Sequence, residues 1–180
     1  MRKLHRIAER RQALDGIHLV EIPRIADELR RAFDGDPWHG LPALKLIAGI
    51  SGQKAAGKPL AGANSIWEIV LHMTAWIRET QRRLGGAEPG EPEGGEWPSV
   101  VENTEAAWER AKARMVAAHT SLLDTLDAFS EAHLDKIVGG SSRVREAGTG
   151  VTFYVMLHGL VQHTVYHSAQ IATLRRALAV

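Results

Sequence analysis

Apolar residues recur every three or four positions along most of the chain, which is the period of an amphipathic α-helix. Near the N-terminus, for example, this spacing places Ile22, Ile25, Leu29 and Phe33 on one helical face. Clusters of Gly, Pro and Asp interrupt the pattern and mark where helices end. We predict four long helices over residues 21–34, 65–84, 99–129 and 152–178.

The second and third predicted helices differ in how much of their surface is apolar. The helix at 65–84 opens with Ser65 and Glu68 at the spacing of a capping box and carries apolar residues on several faces, so we expect it to be largely buried. The helix at 99–129 has a single apolar side, which includes Val101, Trp108 and Leu122. Both patterns suit helices that pack side by side in a bundle.

The segments between the helices read as connections. The pattern in residues 41–60 predicts short helical pieces, and we interpret the Gly/Ser-rich segment 139–150 as a linker. Residues 85–98 are acidic and rich in Gly and Pro, and we interpret them as an exposed crossover loop with no functional role. With no strand pattern, repeat or second domain, the sequence predicts an all-α four-helix bundle over residues 20–180.

Residues 1–19 form a separate N-terminal extension. Leu4, Ile7 and Leu14 fall on one side of a helix, so we predict an extra amphipathic helix, with a frayed tail or an organellar presequence as the alternatives. This apolar stripe could pack on its own bundle or on that of a second copy, and we expect a homodimer.

Composition excludes several classes of function. The 180 residues carry a net charge of +1, which provides no general field for nucleic acid or for an acidic membrane. No stretch is long and apolar enough to span a membrane, and the N-terminus lacks the apolar core of a secretory signal. The sequence contains no Cys, so disulfides, thiolate metal sites and a cysteine nucleophile are excluded. We therefore expect a cytoplasmic protein.

Nine His are present, and two of them share one helical face. His163 and His167 are four residues apart, so their imidazoles lie about one turn apart and can chelate one divalent metal ion. Two solvated surface histidines would give the same spacing. Neighbouring apolar residues bring this face towards the core, where two unpaired imidazoles would be costly to bury. Gln170 and Tyr166 are placed to orient such a ligand.

A third ligand should come from another helix. His72, midway along the buried helix at 65–84, is the best candidate, whereas His39 in a loop is ambiguous. His158 lies roughly half a turn away from His167. The remaining histidines, namely His5, His18, His119 and His133, are expected at the surface. Glu68 lies one turn before His72. Its carboxylate could act as a base near the metal, or it could be the helix-cap partner of Ser65.

Two segments together resemble the signatures of a known family. Ser65 to His72 (SIWEIVLH) and the later pattern His163-x-x-Tyr166-His167-x-x-Gln170 are similar to those of the DinB/YfiT-like metalloprotein superfamily. The resemblance covers residues 20–178 and includes the helix order and the acidic crossover. It implies a four-helix bundle, often homodimeric, with a divalent metal ion on three histidines. Matched by position, these are His72, His163 and His167.

The resemblance also implies a class of chemistry. Relatives include thiol-dependent S-transferases that use bacillithiol and mycothiol-dependent maleylpyruvate isomerases. We therefore expect a small-molecule substrate, with a low-molecular-weight thiol as cosubstrate, on a zinc, nickel or iron centre. Because the chain has no Cys, the attacking sulfur would belong to that cosubstrate. The alternative is a non-catalytic metal-binding stress-response protein whose ion only fastens the bundle.

Overall fold

The computed structural model describes residues 21–140 and 151–179, and within them every regular element is a helix. The predicted N-terminal helix, with His5 and His18, lies outside these residues, as does most of the 139–150 linker. The extension and the homodimer that we expected from it stay predictions. The described elements are α1 (Glu21–Phe33), α2 (Ala43–Ile47), α3 (Gly52–Ala55), α4 (Ile66–Leu84), α5 (Glu105–Asp127), a 3₁₀ turn (Glu131–His133) and α6 (Phe153–Ala177).

The four long helices close into a ring. Helix α1 packs against α5 and α6, and α4 also packs against α5 and α6, so each long helix contacts two of the other three. The apolar face predicted for α1 is buried, with Ile25 fully enclosed. The predicted all-α four-helix bundle is therefore confirmed. None of the described helices is long and apolar enough to cross a membrane.

Helix ends agree with the sequence at three of the four long helices. Ser65 and Glu68 form the predicted capping box at the start of α4, because each side chain accepts a hydrogen bond from the other residue's backbone N–H. The prediction that α5 starts at residue 99 is wrong. The Thr104 hydroxyl accepts from the backbone N–H of Ala107 and starts the helix at Glu105, so Val101 lies in the loop and is almost fully exposed.

The short helices α2 and α3 are fastened to the bundle by buried polar contacts. The Trp108 indole, fully buried on α5, donates to the carbonyl of Ile50 at 2.7 Å. The backbone N–H of Gly52 donates to Glu105 at 2.7 Å, and the Arg175 guanidinium on α6 donates to the carbonyl of Leu46 at 2.6 Å. These bonds satisfy backbone groups at or next to the ends of the short helices that would otherwise be buried without partners.

Candidate metal centre

Helices α4 and α6 bring three histidines together. The Nε2 atom of His163 lies 2.9 Å from Nε2 of His72 and 3.1 Å from Nε2 of His167. One ring nitrogen from each residue falls within 4.8 Å of the others. His163 and His167 are adjacent because they are one turn apart on α6, whereas His72 reaches them only through the packing of α4 on α6. The three candidates from the sequence thus converge.

Two of the imidazoles have a fixed tautomer. Nδ1 of His72 donates to the main-chain carbonyl of Glu96 at 2.6 Å, and Nδ1 of His167 donates to Oε1 of Gln170 at 2.8 Å. Because each Nδ1 carries the proton, each Nε2 has a free lone pair directed at His163. Hydrogen bonds of this kind commonly orient metal-binding histidines and raise their basicity. The orienting role expected of Gln170 is met, while Tyr166 is mostly exposed with its ring 5.0 Å from that of His167.

Burial keeps all three histidines uncharged at neutral pH. It lowers the pKa of His163 to about 3, with the neighbouring His167 and His72 imidazoles acting in the same direction. Burial also lowers the pKa of His72 and of His167, against the hydrogen bonds that these imidazoles donate to Glu96 and Gln170, which raise the pKa values. Neutral imidazoles are the form that binds a metal ion.

The arrangement fits a divalent ion. At most one proton can lie between the three facing Nε2 atoms, so at least two of them direct unshared lone pairs into the same space, as the ligands of one cation do. Ligand nitrogens about 2.0–2.1 Å from a tetrahedral zinc ion are about 3.3 Å apart. The observed distances of 2.9 and 3.1 Å are slightly shorter, so small side-chain movements would admit the ion.

The crossover loop contributes to this centre, which corrects our interpretation of residues 85–98 as a loop without function. Glu96 supplies the carbonyl that orients His72, and the Trp97 indole stacks on the same imidazole at 3.8 Å between ring centroids. A main-chain carbonyl leaves no mark in the sequence. A tryptophan within a Gly- and Pro-rich loop was the one available signal.

A cavity of about 430 Å³ adjoins the histidines and has mostly apolar walls. All three histidines border it, together with Trp76, whose ring centroid is 6.4 Å from that of His72 and 6.3 Å from that of His163. The volume is typical of a small-molecule site. A ligand in this cavity would meet the histidines directly.

The other candidate residues lie elsewhere. His39 is exposed and His158 faces Glu21 and Glu28 with N–O distances of 3.6 and 3.5 Å. Glu68 serves as the cap partner of Ser65 and pairs with Lys58 at 2.9 Å, which favours its structural interpretation over a base near the metal.

Our prediction that His119 is at the surface is wrong, since its ring is buried and stacks on Phe33 with centroids 3.8 Å apart. His133 is exposed as predicted.

Comparison with known proteins gives one match. The model of the DinB superfamily matches residues 43–171, a range that includes all three converging histidines and most of the bundle. No match was found among curated proteins or among solved structures.

Proposed function

Because the chain belongs to the DinB superfamily and its three converging histidines, two buried and one partly buried, meet at one cavity, we propose that it is a metal-dependent enzyme. His72, His163 and His167 hold one divalent ion, with zinc, nickel and iron as the candidates. The reaction is a transfer or isomerisation that uses a low-molecular-weight thiol and a small electrophilic substrate. The cavity beside the histidines is the observation that carries this proposal.

The cavity separates the catalytic hypothesis from a purely structural one. Structural metal sites are closed by four protein ligands, whereas catalytic sites keep a coordination position for water or substrate. Among the described residues only three ligands converge, and all three border the cavity. An ion bound there would lower the pKa of a thiol or water that reached its open position.

The chain's own residues would prepare the site without supplying the nucleophile. Glu96 and Gln170 hold the tautomers of His72 and His167, and Trp97 covers one face of His72. The absence of Cys means that the sulfur must come from the thiol cosubstrate. In a transfer, the thiol proton is released to solvent, the sulfur bonds to an electrophilic carbon, and the displaced group leaves with its bonding electron pair. In an isomerisation, the sulfur adds to the carbon and later leaves with that electron pair, so the thiol is regenerated when it takes up a proton.

The first test is metal binding. We would measure the affinity of the purified protein for Zn²⁺, Ni²⁺ and Fe²⁺ by competition with a chromophoric chelator. One ion should bind per chain, and His72→Ala, His163→Ala or His167→Ala should abolish tight binding. His158→Ala is the matched control, because His158 lies on the same helix but faces α1. Wild-type binding by the His163→Ala variant would refute the site.

The second test is activity. The metal-loaded protein would be screened with low-molecular-weight thiols against small electrophiles. Loss of free thiol reports a transfer, and thiol-dependent loss of the electrophile without thiol consumption reports an isomerisation. Turnover that requires both the ion and His163 supports the enzyme. A tightly bound ion with no turnover across the screen, together with large metal-dependent stabilisation, would favour the non-catalytic bundle instead.

A further inference from the structure

One face of α4 connects the histidines to a cation. His72, Trp76, Thr80 and Arg83 recur at helical spacing, and all four border the 430 Å³ cavity. The Trp76 ring lies between the two ends, with Cζ of Arg83 5.5 Å from its centroid on one side and the His72 ring 6.4 Å away on the other. The cavity therefore has histidines at one end and a guanidinium at the other.

Arg83 belongs to a cluster with surplus positive charge. The carboxylate of Glu79, only 1% exposed, accepts from Nε and Nη2 of Arg82 at 2.8 Å each and from Nε of Arg83 at 2.6 Å. One buried negative charge is thus shared by two guanidinium groups. Glu79 neutralises only one of them, and Arg83 is the one that borders the cavity.

The donors of Arg83 leave one edge of its guanidinium available. Its Nε donates to Glu79 and its Nη2 donates to the carbonyl of Gly90 at 2.7 Å. Among the described residues, no hydrogen bond involves Nη1. The side chain is 16% exposed and is held in place from two directions, so it is already fixed for an incoming acceptor. A guanidinium edge suits a carboxylate oxygen.

We propose that Arg83 binds the carboxylate of a small organic acid whose apolar body fills this cavity. The body would lie against Trp76, Met156 and Leu160, which line the wall between Arg83 and the histidines. Glu96 also borders the cavity, but it is exposed to solvent, so its charge is screened more strongly than that of the mostly buried Arg83. This inference deepens the proposed function by naming the substrate class. Only the approach of the bound acid to an ion on the histidines rests on that function.

The structure offers a matched pair of variants. Arg82→Met and Arg83→Met each remove one partner of Glu79 and one hydrogen bond to a loop carbonyl, that of Glu88 or Gly90. Only Arg83 borders the cavity. We would measure binding of phenylacetate and of neutral phenylacetamide by calorimetry, first with metal-free protein. Wild-type protein should bind phenylacetate about tenfold more tightly than phenylacetamide, because only the anion adds the attraction of opposite charges to the hydrogen bond from the guanidinium.

The two variants then show which arginine is responsible for the preference for the anion. Arg83→Met should remove this preference and leave phenylacetamide affinity unchanged, whereas Arg82→Met should retain the preference. Equal affinity of wild-type protein for the two probes overturns the inference without any variant, so the inference can be refuted even if the Arg83→Met protein folds poorly. An equal loss of preference in both variants also overturns it, since the effect would then come from Glu79 or the loop.

A zinc-loaded arm distinguishes this inference from the proposed function. If phenylacetate binds only after zinc loading and Arg83→Met does not weaken it, the carboxylate binds the ion and the role of Arg83 is refuted while the metal site stands. If the preference depends on Arg83 in metal-free protein and in the His163→Ala variant, the inference holds even where metal binding fails.

Discussion

The imidazole of His72 lies parallel to the indole of Trp97, with ring centroids 3.8 Å apart and planes inclined by 9°. The Nδ1 atom of the same imidazole donates to the carbonyl of Glu96, the residue just before Trp97. Two consecutive loop residues therefore fix both the plane and the tautomer of one candidate ligand. The orientation of the His72 side chain therefore depends on the crossover loop as well as on its own helix.

Trp97→Leu should weaken Zn²⁺ binding about tenfold, because the apolar shell around a metal ligand limits its movement and its contact with water. The measurement is chelator competition. Trp38→Leu serves as the control, since Trp38 is fully exposed in a loop. Equal affinities of the two variants would show that the stacked indole does not support the site.

Gln170→Leu should lower Zn²⁺ affinity by about 10- to 100-fold, because Nδ1 of His167 loses the acceptor that fixes its tautomer. Gln170→Glu should restore the affinity, since a carboxylate accepts the same hydrogen bond. The exposed Gln162 on the same helix gives the control Gln162→Leu. Indistinguishable affinities for the Leu and Glu variants at position 170 would contradict this role.

Glu79→Gln should reduce the free energy of unfolding by about 3 kcal/mol, because two guanidinium groups would then face a buried neutral amide. Chemical denaturation measures the change. The exposed Glu109, paired with Lys112 at 2.7 Å, supplies Glu109→Gln as a surface control with an expected loss below about 1 kcal/mol. A loss of similar size in both variants would exclude a special role for the buried carboxylate.

His119 should make the metal-free protein less stable as the pH falls. Burial lowers the pKa of His119 to about 4, and Arg30 lowers it further while Asp34 opposes the shift. The unfolded chain, with a pKa near 6.5, binds the proton more readily, so His119 favours folding above about pH 6.5 and this contribution is lost towards pH 4.

The variant His119→Leu should remove that part of the pH dependence. Across this range the wild type should lose about 3 kcal/mol more than the variant, measured by urea denaturation in the presence of a chelator. Denaturation curves that shift in parallel with pH for the two proteins would refute the assignment to His119. The difference between the proteins cancels the titration of the three clustered histidines, which both contain.

The sequence predicted those parts of the molecule that depend on short-range spacing. The capping pair Ser65 and Glu68 and the adjacent His163 and His167 lie within one helical turn, so local geometry determines their contacts. His72 could be assigned because it lies midway along a helix predicted to be largely buried and matches the family signature by position. His119 was misassigned although it continues the apolar stripe of Met115 and Leu122, both fully buried.

The remaining contacts follow from how distant segments pack. The Glu96 carbonyl and the Arg83 edge of the cavity depend on where the crossover loop returns to the bundle. Acidic, Gly-rich composition does not indicate that path. The late start of α5 has a local cause instead, since Thr104 caps the helix while Val101 remains outside it.

His72 and His163 are 91 positions apart in the sequence, although their Nε2 atoms face each other in the fold. An ion shared by these residues would close a long loop of chain, as a crosslink does, in a protein whose sequence provides no disulfide. By mass action, free ion at a hundred times its dissociation constant would add about 2.7 kcal/mol to the stability of the native chain. The melting temperature would then report the free metal concentration around the protein.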